Sequence, residues 1–551
     1  MKWSCDFETT TDANDCRVWA WGMCIIGYEE KTFEYDNSLE SFIERLTNLN
    51  GDTFYFHNLR FDSSFILWAL LKKGFNYVDD RKKLYKKSFT ALISEMNLFY
   101  SIEICFENES RVKLLDSLKV IPLKVEEIPA AFGLEYKKLE IDYNKYRPIG
   151  YVLTPHEVEY LKHDIIIVAK ALKKLFDEGL KKITTGSNAL NQYKKMVGEK
   201  NFKRNFPILE KDKDIRQAYK GGFTYLNPKY KGITIKSGIV LDVNSLYPWV
   251  MYECLLPYGE AVFFKGEYMH DDLHNLYIQM LRCEFKLKEN HIPCIQLKHS
   301  LRFSANEYIE ESDGEIVLCL TNVDLQLFFD HYEVWNIEYL SGYKFKSTDQ
   351  MFKQYIDFWI DIKIQSTLNG NNGMRTISKL MLNSLYGKFG TKPEVQGRIP
   401  RLEDDVLRLR LGDKKDKDPI YIPLAIFVTA WARNKTIRSA QSVYERFIYA
   451  DTDSLHLEGL DLPENLEISD TELGKWKHEA TFSKAKYLYQ KTYIEEIDNE
   501  LKITCAGMPK SCYEYVTFEN FKTGTQYPGK LRQKNVVGGI ILEEKMHTLR
   551  G

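Results

Sequence analysis

Residues Phe447 to His456 read FIYADTDSLH. Two aspartates, Asp451 and Asp453, stand one residue apart at the end of an apolar, aromatic run. An EF-hand loop is excluded: counted from Asp451, positions 6 and 12 hold His456 and Leu462, not the Gly and Glu that loop requires. A β-hairpin with the acids at its turn fits the pattern. Such a pair is either a polar turn or half of a metal site, and the rest of the chain must supply the partners that decide.

One partner is Asp242, in GIVLDVNSLYPWVM (238–251), where an apolar strand ends in an acid and Pro248 limits the regularity of the next segment. Between the two acidic segments lies SKLMLNSLYGKFG (378–390). On a helix, Lys379, Asn383, Tyr386 and Gly387 follow i, i+4, i+7, i+8 and share a face. A cation, an amide, a phenol and a glycine make an odd core stripe. They suit a triphosphate, a flat base pair and a close approach, with Lys363 on the preceding helical segment as a second phosphate cation.

A second acidic set occupies the N-terminal third. In SCDFETTT (4–11), Asp6 and Glu8 are i,i+2 and face the same way on a strand. In YFHNLRFDSSFI (55–66), Asp62 begins a helix. In YLKHDIII (160–167), Tyr160 and Asp164 are i,i+4 on one helical face. Each acid alone is an ordinary cap or turn residue. Together they give hard divalent cations four oxygen ligands, enough for two metals that activate water at a phosphodiester, with Tyr160 to orient that water.

Composition sets the class. The chain has 551 residues, which suggests about three or four domains at roughly 150 residues each. It is 44% hydrophobic, so each domain can build a core. Net charge is −2, so the global field does not announce nucleic acid. Local runs do better: RKKLYKK (81–87), KNFKRNF (200–206) and YPGKLRQKN (527–535) mix cations and rings, as phosphate-backbone surfaces do. Ten cysteines stand singly with no CxxC, and no signal peptide precedes Trp3, which predicts reduced thiols in a cytosolic setting. The apolar run PIYIPLAIFVTAWA (419–432) is shorter than the about 20 residues a bilayer span needs.

The N-terminal third mixes strand-like segments (3–7, 53–56, 100–106) with helical ones (38–49, 63–73, 155–177), the pattern of an α/β domain. An irregular basic stretch is expected over 194–220. A helix over 350–368 should break at NGNNG (369–373) and resume over 376–389 as a helical hairpin. Residues 397–419 read as an inserted loop or small hairpin, and strand returns around 447–457.

At these residues a family resemblance appears. DFETT, HNLRFD and Yx3D resemble the three motifs of proofreading 3′→5′ exonucleases. The resemblance implies that Asp6, Glu8, Asp62 and Asp164 hold metal, that Tyr160 assists the water, and that His57, Asn58, Phe61 and Phe65 contact the frayed primer end. It gives Lys138 a place near the scissile phosphate, and Ser117 and Leu118 a part in single-strand binding. DxxSLYP, KxxxNSxYG and YxDTDS, in that order, resemble motifs A, B and C of family B DNA polymerases. YKGG (Tyr219, Gly221, Gly222) resembles the motif between exonuclease and polymerase modules, and KTY (Lys491, Tyr493) the motif that binds the primer terminus.

End to end, the chain resembles the protein-primed, phi29-type branch of family B. The implied fold is α/β and α+β multidomain: an RNase H-like 3′→5′ exonuclease domain plus a right-hand polymerase of palm, fingers and thumb, with two protein-priming insertions. The implied limits are exonuclease 1–182, palm 183–253 and 419–505, first insertion 254–350, fingers 351–390, second insertion 391–418 and thumb 506–551. Two Mg²⁺ ions per site, with Mn²⁺ as substitute, would sit on Asp242, Asp453 and the Val243 carbonyl, Asp451 supporting. Lys379 and Lys363 would neutralise phosphates, Tyr247 would stack under the sugar and exclude a 2′-OH, and Tyr386 would press on the templating pair. The implied partners are template and primer DNA, dNTPs and a terminal protein, acted on by a monomer in the host cytoplasm. Alternatives are a DNA-primed family B polymerase, or a nuclease or nucleic-acid-binding protein with an inactive polymerase half. The sequence departs from the family at Ala450, often Cys, in a longer finger turn, and in a shorter segment between Tyr493 and Cys505.

Overall fold

Strand-forming segments of the first third pair into one eight-stranded sheet in the computed structural model, which describes residues 1–296 and 308–550. Lys2–Thr9 lies antiparallel to Val18–Ile25 on one side and parallel to Asp52–Phe56 on the other, and Asp52–Phe56 runs parallel to Arg111–Asp116. Parallel neighbours need crossovers, and the helices Leu39–Thr47 and Leu59–Lys72 lie in them. The helix Pro155–Asp177 packs on the first two strands. It starts at a full capping box, Thr154 with Glu157, and carries Pro155 in its first turn, where a missing N–H does no harm. Gly22 lets it approach: a Cβ there would lie 2.7 Å from Ile165 Cδ1. That contact brings Tyr160 and Asp164 over the strand bearing Asp6 and Glu8.

The second half centres on a five-stranded antiparallel sheet, in the order Trp476–Phe482, Gly238–Val243, Ser454–Glu458, Phe447–Asp451, Thr224–Leu226. Its register pairs Ser454 with both Asp242 and Asp451. The three acids thereby reach one end of the sheet. The apolar run at 419–432 opens the helix Ile422–Ser442, buried over most of its length. No helix among the described residues is long and apolar enough to cross a membrane. All ten cysteines are free.

Four expectations need correction. The stretch 194–220 is not irregular: Thr185–Val197, Glu199–Asn205 and Asp212–Ile215 are helices. The finger turn is shorter than NGNNG, because the Asn371 side chain caps the next helix by accepting from the Met374 N–H. That helix, Asn372–Ser384, also ends early, so Tyr386 stands on a following 3₁₀ turn rather than on the face of Lys379 and Asn383. Pro248 does not prevent regularity either; it sits in the first turn of the helix Leu246–Glu253.

Two hairpins meet far from their origins. Glu394–Glu403 with Val406–Asp416, and Gln526–Val536 with Gly539–Thr548, touch at their tips through a Val406–Val537 bridge and a 2.8 Å bond from Asn535 Nδ2 to the Leu407 carbonyl. Both also reach the helix Leu59–Lys72: Trp68 Nε1 donates to the Asp405 carbonyl at 2.8 Å, and Leu407, Ile540 and Ile541 are buried in the core beneath the first sheet. Three distant parts of the chain therefore close on one another.

The loop that covers the first sheet's acids is held by Arg147 and Glu157, both buried, 2.9 Å apart. Burial pushes the Glu157 carboxyl up, but hydrogen bonds from Thr154, Tyr151 and Arg147 outweigh it and hold it at about 2. The stability this gives is present above the ordinary carboxylate pKa of about 4.3 and is lost as pH falls toward 2. Glu157→Gln should therefore destabilise the chain by about 2 kcal/mol at neutral pH. Urea midpoints should show the difference narrowing steadily below about pH 4.

Two candidate acidic sites

The first site is a cavity of about 750 Å³ walled by Asp6, Glu8, Lys138, Tyr160 and Asp164, with Asn58 and Phe61 at one side. The distant C-terminal hairpin closes it with Leu531, Gln533, Leu542 and Glu544. Asp62 is buried behind Asp6 and Glu8 rather than in the wall. Burial and the neighbouring Asp164 push the Asp6 carboxyl up to about 7. Glu8 and Asp62 lie well above the usual range, from burial first and the Asp6 charge second. Asp164 is raised by burial, although Lys138 Nζ lies 2.8 Å from its Oδ2. Its Oδ1 is buried without a hydrogen-bond partner among the described residues, and its charge is favoured chiefly by Lys138, then by the Tyr160 hydroxyl and His163. Among the described residues no three acidic, histidine or cysteine side chains converge on one metal-sized point. The carboxylates are neighbours short of positive charge, an oxygen-rich donor set that fits a hard divalent cation.

The supporting residues are placed by hydrogen bonds. His57 Nε2 faces the Leu123 carbonyl at 2.7 Å and Nδ1 the Ser117 hydroxyl at 3.0 Å. Ser117 is fully buried, so it orients His57 instead of touching a ligand directly, as the sequence suggested. Phe65 requires the same correction. It has no exposed surface, packs against Phe61 at 5.9 Å between ring centroids, and lies where a Cβ on Gly539 would come within 2.3 Å of it. Asp116 escaped the sequence reading. Its Oδ1 accepts the N–H groups of Asn58 (3.1 Å) and Leu118 (3.0 Å), which fixes both turns together and holds Asn58 at a φ of 76°. Its only sequence signal was an acid at a strand end before a turn. Tyr143, whose hydroxyl lies 2.7 Å from that of Tyr160, was also missed.

The second site lies at the end of the five-stranded sheet. The Val243 N–H donates to the Asp453 carbonyl and the Asp453 N–H to the Asp451 carbonyl, both at 2.7 Å. Thr452 between them takes a φ of 62°. Asp242 is pushed up to about 7 by burial and by Asp453, with Lys379 opposing. Asp453 is raised by burial and by Asp451, again against Lys379 and Lys491. Asp451 differs: both its oxygens lie 2.8 Å from Lys491 Nζ, and Thr224 Oγ1 donates to it at 3.0 Å. Its charge is already met within the chain; those of Asp242 and Asp453 are crowded.

The remaining expected residues gather nearby. Tyr247 and Tyr386 stack at 4.1 Å. Asn383 and Gly387 are exposed, and no neighbour lies within 4 Å of a Cβ built on Gly387. Lys363 has its pKa lowered by burial and by the cations Lys379 and Arg375 beside it, a concentration of positive charge. Tyr219 packs on Gly390, and Gly222 presses on the acidic turn: a Cβ there would lie 2.7 Å from Thr452 Oγ1. The glycine pair is held by a clamp the sequence reading missed. Arg433 donates to the carbonyls of Lys220 (2.9 Å) and Gly221 (2.8 Å), and is itself gripped by both oxygens of Asp324 at 2.8 Å. An arginine inside an apolar helix was the available signal.

Comparison with known proteins agrees with this geometry. The profile of the family DNA polymerase type B, organellar and viral, matches residues 136–472. The DNA polymerase of Bacillus phage phi29 is 44% identical over 576 aligned residues, covering 100% of this chain and 99% of the relative. The DNA polymerase of Streptococcus phage Cp-1 is 33% identical, covering 99% and 98%. A solved phi29 DNA polymerase complexed with primer-template DNA and incoming nucleotide substrates superimposes over the full length of both chains, with a TM-score of 0.94 and 42% identity. The same polymerase complexed with single-stranded DNA gives 0.92. The mixed α/β architecture is that of an exonuclease-type domain joined to palm, fingers and thumb. The chain belongs to the type B DNA polymerases of organelles and viruses.

Proposed function

We propose that this DNA polymerase adds nucleotides at the Asp242–Asp453 site and removes mispaired 3′ ends at the Asp6–Glu8–Asp62–Asp164 site. The observation that carries the reading is the pair of crowded acidic clusters on two separate sheets, each short of positive charge. The phi29 relative has been solved with primer-template and nucleotide, and with single-stranded DNA, which supports one site for each. Magnesium ions, or manganese in their place, would be held by Asp242, Asp453 and the Val243 carbonyl, and by the four N-terminal carboxylates. Bound there, they would supply an activated hydroxyl or water and neutralise the leaving oxygen.

The chain's own groups do the rest. Lys379 and Lys363 meet the triphosphate, and their mutual repulsion is relieved when it arrives. Tyr247 and Tyr386 separate to take the sugar and the nascent pair. Lys491 keeps Asp451 neutralised beside the primer end, with Tyr493 next to it. In the other site Lys138 faces the scissile phosphate, Tyr160 orients the water, and Asn58 and Phe61 grip the frayed strand. His57 stays fixed by Ser117 and Leu123. The sheet of 256–348 and the hairpin of 394–416 fit the two protein-priming insertions, within the domain limits given above; residues 297–307 of the first lie outside the described part. The meeting of the two hairpin tips supports a closed path around DNA, hence processive and strand-displacing synthesis of a linear viral genome by a monomer in the host cytoplasm.

Asp453→Ala should abolish dNTP incorporation and spare 3′→5′ degradation of single-stranded DNA, and Asp62→Ala should do the reverse. Loss of both activities in either folded variant would refute the two-site assignment. Priming is tested by mixing the enzyme, Mg²⁺ or Mn²⁺, labelled dATP and the co-encoded terminal protein. Label on that protein is expected; normal primer extension without it would show that DNA is the primer.

A further inference from the structure

One ring away from the Asp451–Lys491 ion pair lies a buried polar contact that the chemistry above does not use. His456 is on Ser454–Glu458, in the five-stranded sheet. Glu495 is on Thr492–Ile497, in the four-stranded sheet formed with Thr234–Ile235, Lys484–Tyr489 and Glu500–Cys505. His456 Nδ1 lies 2.7 Å from Glu495 Oε1, and the side chains are 2% and 6% exposed. The Tyr487 hydroxyl donates to the same oxygen at 2.5 Å. Burial works against the Glu495 charge, but His456 and Tyr487 outweigh it and hold the carboxyl below its usual range. The surrounding interface is aliphatic and aromatic, formed by Val240, Phe482, Ala485 and the rings of Tyr230, Tyr449, Tyr487 and Tyr493.

A buried charged pair is a weak source of stability, since apolar residues of similar volume do as well or better. What it supplies here is register between two sheets with different duties. Asp242 and Asp451 stand on the five-stranded sheet, with Asp453 in the turn between two of its strands. Lys491 and Tyr493 stand on the other, at a hairpin turn where Lys491 takes a φ of 56°. Besides the Lys491–Asp451 ion pair itself, two further links join that turn to the acids. The Lys491 N–H donates to the Tyr449 hydroxyl at 2.9 Å, which faces Asp451 Oδ2 at 3.4 Å. The Tyr493 ring packs on His456 (5.2 Å) and on Tyr449 and Tyr487 (5.1 Å each). His456 touches all three of these tyrosine rings.

We propose that His456 and Glu495 are positioning residues for the primer terminus: their contact across the sheet interface sets the Lys491–Tyr493 turn against the catalytic aspartates. The inference rests on the reading that this turn holds the primer end. Both residues are buried and bonded to each other and to Tyr487, not to a carboxylate of either site.

The test uses the full-length chain and the double variant His456→Leu/Glu495→Leu, which replaces the polar link with an apolar one. It leaves the buried Tyr487 hydroxyl without its two partners, so it should melt below wild type yet stay folded and degrade single-stranded DNA normally. Its Kd for primer-template should rise about tenfold with the KM for dNTP unchanged. Wild-type primer affinity in the folded double variant would overturn the proposal. If the double variant loses single-stranded degradation and so has not folded, Glu495→Gln decides: a rise of about threefold in the primer-template Kd is expected, and no rise overturns. Tyr493→Ala separates the two ideas. If it leaves primer affinity intact, the reading of the turn fails and the inference with it. If it weakens binding while the double variant does not, only the inference fails.

Discussion

Carboxylates packed side by side against the low-dielectric protein repel one another, and partial burial weakens the screening that water would give them. Both sites of this polymerase are built on that repulsion. In the N-terminal site Asp6, Glu8 and Asp164 share the cation Lys138, and burial raises the pKa of all four acids, Asp62 included. In the second site Lys491 and Thr224 satisfy Asp451, and the shortage falls on Asp242 and Asp453. The tandem aspartates are thus chemically unequal. One is a neutralised support, the other a charge in want of a partner.

Such crowding persists only if the backbone leaves no escape. The Val243, Asp451 and Asp453 backbone bonds lock the acidic turn to the neighbouring strand. Gly222 brings a second backbone segment against Thr452, and the Arg433–Asp324 clamp holds that segment from behind. In the first site, a capped helix and a bare Gly22 bring Asp164 down onto the strand of Asp6. Long-range closure does the same on a larger scale: the C-terminal hairpin covers Phe65 and completes the wall of the N-terminal cavity.

Local pattern made much of this legible. The helix 155–177 was readable from its Pro, its cap and its apolar period, and the hairpin at 447–458 from an apolar run ending in turn residues. The order of acidic and lysine-bearing segments pointed to the family before any geometry was known. Sequence failed where a residue's role depends on what covers it. The family resemblance implies a ligand contact for Phe65, yet it is fully buried, with the distant Gly539 packed against its ring. Arg433 and Asp116 carry only a faint local signature, and Asp324 and the His456–Glu495 contact none, because each is defined by partners from other elements. The end of the finger helix was misplaced for a smaller reason: nothing in NSLYGK forbids helix, yet the chain tightens there to a 3₁₀ turn.

The central claim is that one chain holds two separate metal-dependent sites in which Asp453, not Asp451, binds metal. Anomalous diffraction at the manganese edge, from crystals of the enzyme with Mn²⁺ and primer-template, tests it most directly. Manganese should appear between Asp242 and Asp453, with Lys491 still on Asp451, and separately among Asp6, Glu8, Asp62 and Asp164. Manganese on Asp451 with Asp453 left free, or a cluster that takes no metal at all, would contradict the account.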